Sequence, residues 1–139
     1  MKRFPPNESA HTAKENLRGE RNLHRKMLHG KIHAATVTAT AVDYEGSIGI
    51  DADLLTAAGI LPLESVHVWN VSNGERFETY AIAGPAGSGD VVVNGAAAHK
   101  TRVGDKVIVA AFTWLTPEEA PTHKPSIVLV DEANRLKKK

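Results

Sequence analysis

Two cationic side chains stand apart in a long segment of the chain. Between Met27 and His99, Lys31 and Arg76 are the only lysine or arginine residues, and each lies at the start of a predicted strand. Arginine binds a carboxylate in bidentate fashion and lysine acts as a compact point charge, so the pair suits a small dianion. Taken alone, however, two ordinary surface residues explain the pattern better, because most lysines and arginines are exposed.

The dipeptide Gly46-Ser47 offers a hydroxyl nucleophile directly after a glycine. Gly-Ser is a common turn dipeptide, so on its own an ordinary turn is the default interpretation. The order Gly46-Ser47-Ile48-Gly49 is not the G-x-S-x-G nucleophile elbow, which argues against a Ser-His-Asp hydrolase. A serine hydroxyl can also attack its own preceding carbonyl where the backbone is strained and the oxyanion is held.

Two further segments combine polar side chains with small neighbours. Thr79 and Tyr80 follow Arg76 on one predicted strand and point to opposite faces if that strand is regular. Asn94 precedes a glycine and three alanines, which would let a ligand approach backbone N–H groups. Neither segment requires a function: strand propensity explains the first, and an ordinary turn explains the second.

Metal and thiol chemistry find little support in the sequence. The 139 residues include no cysteine, which excludes disulfides, thiolate catalysis and cysteine-based metal sites. His29 and His33 have i, i+4 spacing, but that spacing brings ligands together on a helix, whereas this segment predicts a strand. We therefore predict no metal site.

The charge of the chain is unevenly distributed. Residues 1–26 contain seven lysines and arginines against three acidic residues, although the whole chain has a net charge of only +1. No aromatic or glycine-rich recognition pattern accompanies this basic arm, so we predict no nucleic-acid partner. No apolar run reaches the ~20 residues of a membrane-spanning helix and no signal-peptide core is present, which predicts a cytoplasmic protein with no membrane partner.

Apolar alternation and turn residues predict one mainly β domain. Predicted strands cover 31–41, 48–50, 65–71, 76–83, 91–93, 107–114 and 126–130. Asp51 or Asp53 would cap a short helix ending at Gly59, and Asn73-Gly74 predicts a tight hairpin turn. Several short strands with one or two short helices indicate a small β-barrel rather than a βαβ sheet.

Taken jointly, several motifs closely resemble the aspartate 1-decarboxylase family. They are 27–33 (MLHGKIH), 44–47 (YEGS), 69–74 (WNVSNG), Arg76, 79–82 (TYAI) and 94–99 (NGAAAH), in this order and spacing. The resemblance covers about residues 27–130. It implies a double-psi β-barrel, a homotetramer with active sites between subunits, and a place in pantothenate (coenzyme A) biosynthesis.

The resemblance also implies that the chain makes its own cofactor. Ser47 would attack the Gly46 carbonyl, and elimination and hydrolysis would leave a covalently bound pyruvoyl group on the new terminus, with no metal. Thr79, Asn94 and Tyr44 are the residues expected to support this processing. Whether it is spontaneous or needs a maturation factor is left open.

For the mature enzyme, the resemblance implies pyruvoyl-dependent decarboxylation of L-aspartate to β-alanine and CO2. The group derived from Ser47 would form a Schiff base with the substrate, and Tyr80 would act as the proton donor. The residues expected to bind substrate are Lys31, Arg76, Thr79, Gly95, Ala96, Ala97 and His33.

The expected organisation has three parts: a loose basic extension over residues 1–26, a catalytic β-barrel over 27–131, and a basic tail over 132–139. The extension departs from the family pattern, in which the motif beginning at Met27 normally lies near the N-terminus. The leading alternative is a non-catalytic β-barrel interaction module, in which Gly46-Ser47 is an ordinary turn and the basic arm binds a partner.

Overall fold

The computed structural model describes residues 23–138, and this part of the chain is mainly β, as predicted. Its elements are β1 (Arg25–Thr36), β2 (Ala39–Ala41), β3 (Ser47–Asp51), α1 (Ala52–Ala58), β4 (Ser65–Asn70), β5 (Arg76–Gly84), β6 (Val91–Asn94), a 3-10 helix (Gly95–Lys100), β7 (Lys106–Leu115), a second 3-10 helix (Ala120–Thr122) and β8 (Ser126–Leu129). Most of the predicted basic extension, residues 1–22, lies outside the described residues.

The eight strands form one mixed sheet in the order β2-β6-β3-β5-β4-β7-β1-β8. The short strand β3 lies between β5, to which it is parallel, and β6, to which it is antiparallel. Within the described residues, the sheet is not closed by pairing between its edge strands β2 and β8. The arrangement is consistent with the predicted small, mainly β, barrel-like fold.

Contacts between Cα atoms divide the described chain into two compact units. One comprises residues 23–27 with Thr113–His123, and the other comprises Leu28–Phe112 with residues 124–138. The hydrophobic core belongs to the second unit, where isoleucine and valine side chains of the central strands, such as Ile48, Ile50 and Val93, are fully buried. The predicted boundaries at residues 26 and 131 remain a prediction.

Two sequence predictions differ from the structure in detail. The predicted strand over 31–41 is interrupted at Val37, whose backbone bonds to Asp105 and Gly104 before the chain pairs with β6 as β2. The hairpin between β4 and β5 has a loop over 71–75 rather than a two-residue turn. The buried Asn70 side chain holds that loop, because it accepts a hydrogen bond from Ser72 N at 2.9 Å and donates one to the Asp105 carboxylate at 2.8 Å.

Asp51 joins β3 to the helix that follows it. Its carboxylate, in a residue only 2% exposed, accepts hydrogen bonds from the backbone N–H groups of Asp53, Gly87 and Gly89 at 2.8 to 2.9 Å. Burial by itself raises the pKa of Asp51, but the three N–H donors, led by Gly89, together with the positive charge of Arg135, lower the pKa below its ordinary value. The predicted N-cap is thereby confirmed at Asp51, and Gly59 ends the helix as predicted, with φ of 69°.

Replacing Asp51 with asparagine is expected to lower the free energy of unfolding by about 1–3 kcal/mol at pH 7, because the amide offers one acceptor atom fewer to the three donors. Since folding lowers the carboxyl pKa, its stabilisation is present above the unfolded-state pKa of about 3.9 and is lost as the pH falls through the folded-state pKa. Urea unfolding of both proteins between pH 7 and pH 3 measures this difference. A gap that stays constant over that range would contradict the assignment.

Candidate active site

Ser47 is the first residue of the buried strand β3. It is 4% exposed, whereas Gly46 before it is exposed at the end of the turn that follows β2. Ser47 lies opposite Asn94 in the antiparallel ladder with β6. The parallel register of Ile48 with Ala81 places Tyr80 of β5 on the other side. The peptide bond between Gly46 and Ser47 therefore lies where an exposed turn enters the sheet.

A buried hydrogen bond joins Ser47 to Asn94. The Asn94 side-chain Nδ2 donates to Ser47 Oγ at 3.0 Å, and Asn94 is 5% exposed. Within the described chain, Asn94 Oδ1 is buried without a hydrogen-bond partner. Leaving such an acceptor unpaired costs about 1–3 kcal/mol, so its retention calls for an explanation beyond packing. The hydroxyl is thus held by an amide rather than by a histidine.

A pocket of about 470 Å³ opens above this pair. It is lined by Tyr44, Glu45, Ser47, Tyr80, Ile82 and Asn94. Its size is that of a small-molecule site. Four predicted site residues, Ser47, Tyr80, Asn94 and Tyr44, therefore come together here. The sequence reasoning missed Glu45 and Ile82, although strand alternation already places Ile82 on the same face of β5 as Tyr80.

The predicted carboxylate-binding cations do not line this pocket. Arg76 is exposed at the start of β5, with its guanidinium carbon 4.6 Å from the centroid of the Trp69 ring. Arg76 lies four positions before Tyr80 on this strand, which is about 13 Å along an extended chain. Lys31 is half-buried on β1, where it pairs with Ile127 of β8. In the part of the chain that the structure describes, neither cation has an ion-pair partner.

The remaining predicted residues lie in other surroundings. His33 lines a second cavity of about 470 Å³, together with Lys106 and Glu132. Thr79 is half-buried opposite Val66 of β4 and is not among the residues lining the Ser47 pocket. On the 3-10 helix after β6, Gly95 is buried, Ala96 is exposed and Ala97 packs against the core.

Residues 23–138 lack two other kinds of functional feature. They contain no group of three or more histidine, cysteine, aspartate or glutamate side chains that could hold a metal ion. No helix in the same range is long and apolar enough to cross a lipid bilayer.

The fold and the site define a mainly β protein with a buried serine that follows an exposed glycine and is held by an asparagine amide. The chain belongs to the aspartate decarboxylase family, whose model matches residues 23–137. The resemblance inferred from the motifs is thereby confirmed.

Individual relatives agree with this assignment. An aspartate 1-decarboxylase of Legionella pneumophila strain Lens is 57% identical over 114 residues, which are 82% of this chain and 86% of the relative. The aspartate 1-decarboxylase of Leptothrix cholodnii is 52% identical over 83% of this chain and 88% of its own length. That of Dehalococcoides mccartyi is 54% identical over 81% and 90% respectively.

Proposed function

We propose that this chain is the precursor of a pyruvoyl-dependent aspartate 1-decarboxylase that converts L-aspartate to β-alanine and CO2 in pantothenate biosynthesis. Membership of the aspartate decarboxylase family supports the enzyme class. The observation that carries the cofactor proposal is the buried Ser47 hydroxyl, held by Asn94 at the boundary with the exposed Gly46. A serine in this position can react with its own chain and needs no other bound group.

Self-cleavage begins with attack of Ser47 Oγ on the carbonyl carbon of Gly46. The C–Oγ bond forms, the bond from that carbon to Ser47 N breaks, and the hydroxyl proton passes to the nitrogen. Loss of the Ser47 Cα proton then breaks the Cβ–Oγ bond and releases Gly46 as a carboxylate. One water molecule hydrolyses the remaining enamine, which gives ammonia and a pyruvoyl group at the new terminus. The products are residues 1–46 and 47–139.

The chain around Ser47 suits these steps. The amide of Asn94 donates to Ser47 Oγ, so it fixes the position of the nucleophile while leaving the hydroxyl proton free to transfer. Gly46 is exposed, so its new carboxylate can be hydrated as it leaves. Developing negative charge on the carbonyl oxygen requires a donor, and we assign this role to Thr79, supported by Tyr44.

In the mature enzyme, the pyruvoyl group would accept the electron pair of the bond that breaks when the substrate carboxylate leaves as CO2. Tyr80 lines the pocket beside Ser47, where its phenol can deliver a proton to the substrate carbon that loses CO2. Apolar Ile82 lines the same pocket and would limit access of water to the reacting atoms. The backbone from Gly95 to Ala97, which follows Asn94, would complete the wall of the pocket.

The two carboxylates of aspartate need cations that the Ser47 pocket of a single chain does not offer. Lys31 and Arg76 lack ion-pair partners in the described chain but lie away from Ser47. We therefore assign Lys31 and Arg76 to the substrate site of a neighbouring copy of the chain. His33 would lie at the same contact between two copies. The working form would be a cytoplasmic homotetramer with its active sites between subunits.

Replacing Arg76 with alanine is expected to lower kcat/KM for L-aspartate about 10- to 100-fold, chiefly through KM, because one charge-assisted hydrogen-bonded pair is lost. Arg76→Lys should recover only part of the loss, since the bidentate geometry is absent. Steady-state kinetics measure the effect, and Arg102→Ala provides a matched control at an exposed arginine. Equal kinetics for Arg76→Ala and Arg102→Ala would remove Arg76 from the substrate site.

The experiment that tests the proposed function is reductive trapping. The matured protein is incubated with L-aspartate and cyanoborohydride, and the mass of the fragment 47–139 is compared with that in a control lacking aspartate. We expect an aspartate-dependent gain in mass on this fragment, and β-alanine release when the reductant is omitted. An interaction module would give neither adduct nor β-alanine.

A further inference from the structure

Gly95 makes an unusually close backbone approach to Gly46. A Cβ atom at Gly95 would lie 2.6 Å from Gly46 Cα, 2.8 Å from Gly46 N and 3.0 Å from the Tyr44 carbonyl oxygen. All three atoms belong to the turn 44–46 that ends at the cleavage site. Gly95 also has φ of 75°, a conformation that residues with a side chain rarely adopt.

Strand register accounts for this contact. Ser47 lies opposite Asn94 in the antiparallel ladder of β3 and β6, so Gly46 and Gly95 form the next opposed pair. At Gly95 the chain leaves β6 and enters the 3-10 helix Gly95–Lys100. The positive φ makes this change of direction, and it brings the backbone at position 95 against Gly46.

The crowding between the two glycines is one-sided. A Cβ atom added at Gly46 would meet nothing within 4 Å. Tyr44 is 70% exposed, and Glu45 and Gly46 are exposed as well. An added methyl group at Gly95 would therefore displace the exposed turn toward solvent, whereas the buried strands could stay in place.

We propose that Gly95 is a positioning residue for self-cleavage, a role that rests on the proposed function. Its bare backbone lets the turn 44–46 lie close enough for the Gly46 carbonyl carbon to meet Ser47 Oγ. Asn94, the preceding residue, holds that same oxygen at 3.0 Å. Asn94, the last residue of β6, thus positions the nucleophile, and the adjacent Gly95, the first residue of the 3-10 helix, positions the carbonyl.

Gly95→Ala is the direct test. Relief of the overlap requires a shift of about 1 Å in the turn, and a misplacement of that size can slow a reaction by about 100-fold. We expect the rate of self-cleavage, measured by intact mass over time, to fall by about that factor. Gly104→Ala is the matched control, because Gly104 also has positive φ, 98°, but a Cβ there meets nothing within 4 Å. This control should cleave like the wild type.

Two further readouts separate positioning from other roles. Thermal unfolding should show Gly95→Ala to be folded and similar in Tm to Gly104→Ala. Hydroxylamine at neutral pH cleaves an ester at Ser47 and would release residues 1–46; we expect no release from uncut Gly95→Ala, because attack on the Gly46 carbonyl is the step that fails.

The proposal is overturned if Gly95→Ala cleaves at the wild-type rate, fails to fold, accumulates the hydroxylamine-sensitive ester, or is no slower than Gly104→Ala. Failure of the proposed function has a different signature, since the wild-type chain itself would then remain uncut.

Discussion

Replacing Ser47 with alanine is expected to leave the chain uncut and to abolish decarboxylation of L-aspartate. The substitution removes Oγ, which is both the nucleophile of self-cleavage and the atom that Asn94 holds. Without cleavage no pyruvoyl group forms, so activity should be absent rather than reduced. Intact mass and β-alanine release measure the two effects on one preparation.

Ser65→Ala is the matched control for this substitution. Ser65 also opens a strand, but it is exposed, its hydroxyl donates to Glu78 at 2.8 Å, and it is not among the residues that line the Ser47 pocket. This variant should be cut and active like the wild type. β-alanine release by uncut Ser47→Ala would show that decarboxylation does not depend on a group made from Ser47.

Replacing Tyr80 with phenylalanine is expected to lower kcat by about 100- to 10,000-fold, the usual contribution of a positioned general acid. The aromatic ring that lines the pocket is kept and only the phenol hydroxyl is lost. Self-cleavage should proceed, because the proposed processing residues are intact. Mass spectrometry verifies cleavage, and a β-alanine assay gives the rate.

The trapping experiment provides the control for Tyr80→Phe. If the only role of the Tyr80 phenol is to donate the proton, the variant should still show the aspartate-dependent gain in mass on the fragment 47–139. A variant that is cut, takes up aspartate and keeps kcat within about threefold of the wild type, far less than a general acid contributes, would assign the proton to another group.

Local sequence signals predicted much of the fold. The Asp51 cap, the Gly59 stop and strand β5 all lie where composition and alternation placed them, because short-range rules govern them. The loop at Asn73-Gly74 differs because Asn70, Asp105 and Lys100 are joined by hydrogen bonds over long sequence separations. A two-residue turn rule cannot include such contacts.

In the candidate site, too, the sequence predicted individual residues but not the contacts between distant segments. The family motifs named Ser47, Tyr80 and Asn94, and the structure brings all three to one pocket. The contact between Gly46 and Gly95 could not be foreseen from either segment, because it follows from the register of β3 against β6. The scarcity of positive charge singled out Lys31 and Arg76 in the sequence, but within a single chain neither residue lines the Ser47 pocket.

We propose that the chain cuts itself at Ser47 and converts that serine to a pyruvoyl group. The intact mass of the purified protein, before and after a mild warm incubation that lets slow processing finish, tests this proposal. We predict two species: residues 1–46 ending in a carboxylate, and residues 47–139 lighter by one ammonia than a chain beginning with serine. A single uncut species that persists even with added cell extract, or a cut chain with an unmodified Ser47, would contradict it.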